Sequence, residues 1–223
     1  GKVGANDEQF DSDYLAGMQF MTGQDISNQI DYDPENNKVS RDYHPDSDLE
    51  VKGGSLHLDY ELNNGITFTS ISAAQEWKLD NWGNDVDNTS LDVLSTRVYQ
   101  KEDSFSQEFR LTSVGGETLD WLMGAFYFDS DLKVGDIDKP FAVWGQDLAP
   151  ALALAGHTFN HQADYTTETF SVFGQATWNF TENTSLTAGL LYAYEEKDFK
   201  TQVDAFDDTG TQCLRAALSI PLA

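Results

Sequence analysis

The stretch that most constrains the fold is residues 164–200, where hydrophobicity alternates with a period of two residues. From Phe170 to Phe180 every second residue is apolar or glycine, and the residues between them are polar except for Phe173. This is the period of a β-strand, whose successive side chains point to opposite faces. The pattern breaks at 181–183 and resumes on a return arm that carries alternating apolar residues as far as Tyr194. The sequence therefore predicts a hairpin of two long strands joined by a very short turn.

The length of the two arms favours a membrane protein. Strands of soluble proteins usually have about 5–6 residues, whereas each arm keeps its alternation for roughly 10, about what a tilted strand needs to cross a bilayer. Aromatic residues lie near both ends of the arms, with Trp178 and Phe180 beside the turn and Tyr192, Tyr194 and Phe199 at the far end. Such girdles are typical of outer-membrane barrels. A long hairpin in a soluble β-sandwich is the alternative that this pattern leaves open.

Composition excludes several classes of protein. Hydrophobic residues make up 39% of the chain, below the roughly 45–50% typical of soluble domains, which suits a barrel with a hydrated interior. The 13 basic and 38 acidic residues give a formal net charge of -25, which argues against nucleic-acid binding because that needs a basic surface. Cys213 is the only cysteine, so neither an intrachain disulfide nor a zinc cluster is expected.

Four further strands are predicted upstream, in two pairs. The first pair spans 55–62 and 66–79 and is joined by Asn-Asn-Gly, residue types that tolerate the positive φ of a tight turn. The second pair spans 104–113 and 119–131 and is joined by a turn with two glycines. A short strand is also expected at 14–20, whereas the assignment of the last eleven residues stays open.

The connections between these strands are sorted by length. Long polar connections are expected at 80–100, at 132–162 with a short helix at 147–155, and after residue 200. They alternate with the short turns, as in barrels whose short turns face the periplasm and whose long loops face outside. A soluble sandwich has no reason to sort its loops in this way. The sequence therefore favours an all-β fold, an antiparallel transmembrane β-barrel segment that is part of a large up-and-down barrel.

Three stretches of the chain resemble the barrel of TonB-dependent outer-membrane receptors. They are GGSLHLDYELNNGITFTSISAAQEW at 53–77, SFSQEFRLTS at 104–113 with LDWLMGAFYF after its turn, and the hairpin at 168–199. The resemblance implies a barrel of about 22 strands with a plugged lumen, in the outer membrane of a Gram-negative bacterium. It also implies uptake of a scarce nutrient, such as a ferric siderophore, cobalamin or an oligosaccharide, driven by an inner-membrane energy-coupling protein.

The chain departs from the family pattern in extent. About seven strands are predicted, roughly a third of such a barrel, and neither a plug domain nor the coupling segment (TonB box) before it is recognised. The end, LSIPLA, does not resemble a closing strand. Residues 1–223 are therefore interpreted as an internal part of a receptor barrel, whose partners in the full-length protein are the plug, the coupling protein, outer-membrane lipid and a small nutrient. A passive porin-like barrel and a secreted β-sandwich carbohydrate-binding module remain as alternatives.

No catalysis, cofactor or metal site is expected, because the sequence lacks a nucleophile elbow, a zinc signature and a phosphate loop. His157 and His161 would suit a metal on a helix, but Gly156 is expected to end the helix before them. Ligand contact is expected in the long loops, because aromatic rings offer stacking faces and carboxylates and histidines meet cationic or metal-bearing ligands. The candidate ligand-binding residues are Trp82, Asp85, Asp87, Trp144, Asp147, His157 and His161. The residues expected to face the lumen are Glu108, Arg110, Gln175 and Asn179, and the first two are expected to pair.

Overall fold

The computed structural model describes residues 7–27, 42–87, 89–116 and 118–222, and the side chains within 13–27, 42–87, 89–116 and 118–216. The elements, in chain order, are α1 (Asp7–Thr22), β1 (Asp46–Glu61), β2 (Thr67–Asp85), β3 (Leu94–Thr112), β4 (Leu119–Val134), β5 (Ala142–Trp144), a 3-10 helix (Pro150–Leu152), β6 (Thr158–Thr181), β7 (Thr184–Phe206) and β8 (Gln212–Leu222). In this part of the chain, no helix combines the length and the apolar character needed to cross a membrane.

The strands form one antiparallel sheet in the order β1-β2-β3-β4-β6-β7-β8, and the short β5 pairs with β3 and β6. Consecutive long strands are neighbours, which is the up-and-down arrangement that the hairpin pattern predicts. β8 pairs only with Lys197–Phe206 of β7, so within the described chain the first half of β7 has a neighbour on one side only. The all-β, antiparallel fold class is confirmed.

The strands are longer than the sequence pattern indicated. β6 has 24 residues and β7 has 23, more than twice the roughly 9–11 that cross a bilayer. The long connections expected at 80–100 and 132–162 and after residue 200 are therefore wrong in extent, since the connections are 86–93, 135–157 and 207–211. The physical reason is that these strand extensions have polar residues on both faces, so the ladder of hydrogen bonds continues where the alternation in hydrophobicity ends.

Two local expectations are also corrected. Residues 14–20 belong to α1 and not to a strand, because Tyr14, Met18 and Met21, spaced by three and four residues, all contact one apolar cluster. The helix expected at 147–155 is reduced to the 3-10 turn Pro150–Leu152, after which Ala153 adopts a left-handed conformation with φ 51°. The residues at the end of the chain whose assignment was open form most of β8.

The apolar face of the sheet is exposed. The exposed fractions are 48% for Phe170, 52% for Trp178, 87% for Leu190 and 64% for Tyr192. On β6 the opposite face is more sheltered, as Ser171 with an exposed fraction of 8% illustrates. A soluble sandwich would bury these aromatic and aliphatic side chains in its core, so the structure contradicts the sandwich alternative.

A small hydrophobic core lies away from the apolar face, among the connections. Its buried members are Met18, Ile26, Leu91, Val93 and Leu148. The backbone N–H of Ala149 donates to the carbonyl oxygen of Met21 at 2.7 Å, which ties the connection between β5 and β6 to α1. We call residues 13–27, 86, 87, 89–93 and 144–157 together the loop cap. The long connections are thus packed against α1 as one small structured unit.

Candidate functional site

The height of the exposed apolar face matches a bilayer. From Phe170 to Phe180 the apolar side of β6 covers ten residue steps, which is about 33 Å along a strand at about 3.3 Å per residue. With the tilt of about 40° usual for such barrels, this becomes about 25 Å, the height of the apolar band of an outer-membrane barrel. Beyond Phe170 the same face becomes acidic, since Asp129, Glu168 and Glu196 are register partners on β4, β6 and β7. The band therefore ends at that level.

The four residues expected to face the lumen lie on the face opposite the apolar band, as the register shows. The guanidinium of Arg110 donates from Nε to Oε1 of Glu108, so their expected pairing is confirmed. Near the short turns, Nδ2 of Asn179 donates to Oδ2 of Asp120 at 3.0 Å. This face thus carries ionisable and amide side chains at the height where the other face of β4, β6 and β7 carries apolar and aromatic side chains.

Farther from the short turns, the polar face carries a row of large side chains on five neighbouring strands. We call this set the aromatic row; its members, in register across β2, β3, β4, β6 and β7, are Trp77, Glu102, Leu132, Tyr165 and Phe199. Tyr165 lies five residues beyond Phe170, about 13 Å past the apolar band at the same rise and tilt. Sequence reasoning did not single out this row as a site, although extending the register outward from the short turns would have aligned its members.

The aromatic row has a carboxylate near one end and two adjoining rings at the other. Nε1 of Trp77 donates to Oε2 of Glu102 at 2.5 Å, and Oγ of Ser130 donates to Oε1 at 2.6 Å. Two strands away, the rings of Tyr165 and Phe199 lie with centroids 4.7 Å apart and planes inclined by 35°. The arrangement offers an acceptor and several aromatic faces on one wall, beyond the apolar band.

Two of the candidate aspartates hold the loop cap together. Oδ1 of Asp87 accepts from the backbone N–H and the hydroxyl of Thr89 at 3.1 and 2.5 Å, and Oδ2 accepts from the backbone N–H of Leu94 at 3.2 Å. Oδ2 of Asp147 accepts from the backbone N–H of Asp92 at 2.9 Å. These carboxylates replace missing backbone partners in irregular segments, which is a common use of aspartate in loops. Their role in ligand binding stays a prediction.

The other candidates are spread over several elements. Trp82 is in β2 with an exposed fraction of 37% and has the guanidinium of Arg97 5.8 Å above its ring. Trp144 is in β5 and packs against the buried hydrophobic core of the loop cap, and Asp85 ends β2. His161 lies on the polar face of β6, where Nε2 is 3.0 Å from Oγ1 of Thr201.

The two histidines do not form a helical pair. His157 comes just before β6 and His161 is within it, so their spacing of four residues corresponds to about 13 Å of strand. This is too far for a shared metal ion. Nowhere in the described chain do three or more His, Cys, Asp or Glu residues cluster in a way that would hold a metal.

An ion cluster that the sequence analysis missed braces the outer end of β2. Both carboxylate oxygens of Asp80 accept from Arg97 at 2.7 Å, and Nζ of Lys139 lies 3.2 Å from Oδ2. The Arg97 guanidinium, with a smaller contribution from the Lys139 ammonium, holds the pKa of Asp80 below its usual value against the opposing effect of burial. Nζ of Lys139 also lies 3.5 Å above the ring of Tyr99. The cluster fastens the connection after β4 to β2 and β3.

Comparison with known proteins identifies the family. The family described as TonB dependent receptor-like, beta-barrel, matches residues 2–212. Among solved structures, the ferric yersiniabactin uptake receptor FyuA from Yersinia pestis is similar over 80% of this chain, with 16% identity and a TM-score of 0.54. The chain spans 25% of the length of that receptor. No curated protein matches the chain. Because the family match extends over nearly all of the sequence, the chain belongs to the TonB-dependent receptor β-barrel family.

Proposed function

We propose that this chain is part of the wall of an outer-membrane receptor that takes up a scarce nutrient by active transport. The nutrient belongs to the siderophore-iron, cobalamin or oligosaccharide class. In the full-length protein the barrel surrounds an N-terminal plug, and an inner-membrane coupling protein supplies the energy. The barrel binds and passes the nutrient without a catalytic step. The name of the similar receptor, which takes up a ferric complex, supports the siderophore-iron class first.

One observation carries this proposal: the apolar side chains of one face are exposed over the height of a bilayer, while the opposite face carries the charged and amide side chains of Glu108, Arg110 and Asn179. Leu190, with an exposed fraction of 87%, and Tyr192, with 64%, have no reason to face water. Contact with lipid removes the free-energy cost of exposing these side chains to water, because hydrocarbon solvates them. The hydrogen bonds between strands satisfy the backbone polar groups there. The polar face then encloses the path of the nutrient.

The experiment that tests the proposal uses the full-length gene in its own host. Deletion of the gene should abolish saturable uptake of one radiolabelled nutrient of the three classes under scarcity, and the intact gene should restore it. Uptake should also stop when the coupling protein is deleted or when the proton gradient is collapsed. Cell fractionation should recover the protein with the outer membrane.

Two outcomes would contradict the proposal. Uptake that continues without the coupling protein, together with ion conductance through the purified protein, would favour the passive porin-like barrel. Recovery of the full-length protein as a compact monomer without detergent would favour a secreted carbohydrate-binding module.

A further inference from the structure

We propose that the aromatic row binds an organic cation, an ammonium or guanidinium group carried by the nutrient. This inference rests on the proposed function, since it names the chemical class of the ligand that the receptor wall recognises. Its elements are the carboxylate of Glu102, the ring of Trp77 and the adjoining rings of Tyr165 and Phe199.

Among the described residues, only neutral donors hold the carboxylate of Glu102. The indole N–H of Trp77 and the hydroxyl of Ser130 each donate one hydrogen bond to it. None of the ion pairs in the described part of the chain includes Glu102. A carboxylate has about four acceptor sites, so two accepted bonds leave capacity for a cationic donor. The charge of Glu102 is therefore positioned but not neutralised by the protein.

The neighbouring lysine does not compensate this charge. Lys101 lies on the opposite face of β3, where Nζ is 3.4 Å from Oε2 of Glu76 and 3.2 Å from Oδ2 of Asp103. Alternation along the strand thus separates a paired lysine outside the barrel from an unpaired glutamate inside it. A cation from the solution is the natural partner of the glutamate.

The aromatic members of the row add the second attraction that an organic cation needs. The faces of indole and phenol rings carry negative potential and attract ammonium and guanidinium groups within about 6 Å. The ring of Trp77 is oriented by its hydrogen bond to Glu102, and Tyr165 remains 39% exposed beside Phe199. Neighbouring strands lie about 4.8 Å apart, so Tyr165 on β6 is about 10 Å from Glu102 on β3. One nutrient molecule can span that distance.

The entrance to the row has the matching charge. The three connections 86–93, 135–157 and 207–211 contain one lysine, and its ammonium is already bound to Asp80. Their acidic residues are Asp87, Asp92, Asp136, Asp138, Asp147, Asp207 and Asp208. A mouth of this charge raises the local concentration of cations and repels polyanions. The same field argues against a strongly anionic nutrient.

The test measures binding of benzylammonium, an aromatic cation with N–H donors, to the purified full-length receptor in neutral detergent by ligand-observed NMR. Benzenesulfonate, an anion of similar size, is titrated in parallel. The wild-type receptor should bind the cation saturably and the sulfonate not at all, and binding should weaken as salt is added. Glu102→Gln should weaken the cation about fivefold, the upper range for an exposed charge pair.

The matched control is Asp103→Asn, which removes the adjacent carboxylate on the opposite face and should leave cation binding unchanged. If Glu102→Gln does not fold, Tyr165→Leu should weaken the cation in the same direction. Three results would each overturn the inference. They are absence of cation binding to the wild type, equal binding of the sulfonate, and an affinity of Glu102→Gln for the cation equal to that of the wild type. None of these results touches the proposed function, which depends on energy-coupled uptake in cells.

Discussion

Ala176 lies near the middle of the exposed apolar band and gives the sharpest test of which face meets lipid. It is four residues from Phe180 and six from Phe170, so at the rise and tilt used above it lies about 10 and about 15 Å from the two edges of the band. Its side chain opens onto an apolar groove of about 540 Å³, lined by Trp121 and Leu190 among others. An arginine therefore fits there without steric conflict, and the cost of Ala176→Arg is that of placing a charge in hydrocarbon.

That cost is about 2–4 kcal/mol for arginine at the midplane of a barrel, which is roughly a 30- to 1,000-fold loss in the folding equilibrium. The assay is denaturant-dependent folding of the full-length receptor into lipid vesicles, followed by the mobility difference between folded and unfolded barrels on gels. Gln175→Arg is the control, because the adjacent residue points to the polar face at the same height. It should cost less than about 1 kcal/mol, in line with the tolerance of lumen positions. If Gln175→Arg costs as much as Ala176→Arg, the assignment of the two faces is refuted.

Three further predictions concern the wall and its outer end. Gly124→Ala should destabilise the folded barrel by about 1–3 kcal/mol, since a Cβ there would lie 2.7 Å from a backbone oxygen of the neighbouring strand β3. Gly174→Ala is the control and should be nearly neutral in the same folding assay, because the nearest atom to its Cβ would be 3.6 Å away. Arg97→Gln should lower the free energy of unfolding by about 1–3 kcal/mol near neutral pH. Because the folded-state pKa of Asp80 is lowered, this stabilisation is present above the usual aspartate pKa and is lost as pH falls through the lowered value. The stabilities of the two proteins, measured against pH, should therefore converge in acid. Asp87→Ala should expose its loop to protease on intact cells, and a cleavage rate equal to that of the wild type would show that its hydrogen bonds do not hold that loop.

The sequence was sufficient for the faces of the sheet because a strand has a period of two, and a shift of one residue would turn every apolar side chain to the wrong side. The same rule failed to locate the ends of the strands. Beyond the apolar band the extensions of β2 and β6 carry polar residues on both faces, so no alternation in hydrophobicity remains to be read. The loop lengths were overestimated for this reason. Helix α1 was missed because four alternating residues fit a strand as well as a helix when the partner surface, here the loop cap, is unknown.

The loops and the strand extensions have different roles, and strand geometry explains the difference. A long connection must satisfy its backbone groups without a ladder, and Asp87 and Asp147 do this by accepting hydrogen bonds within the loop cap. In the strand extensions, the hydrogen bonds between strands already satisfy the backbone N–H and C=O groups. Side chains such as Trp77, Glu102 and Tyr165 are therefore not needed for that purpose. They are also held at fixed spacing by the register, which loops cannot guarantee. For this reason we expect specificity to be determined mainly by the extended strand wall, with the acidic loops contributing their field.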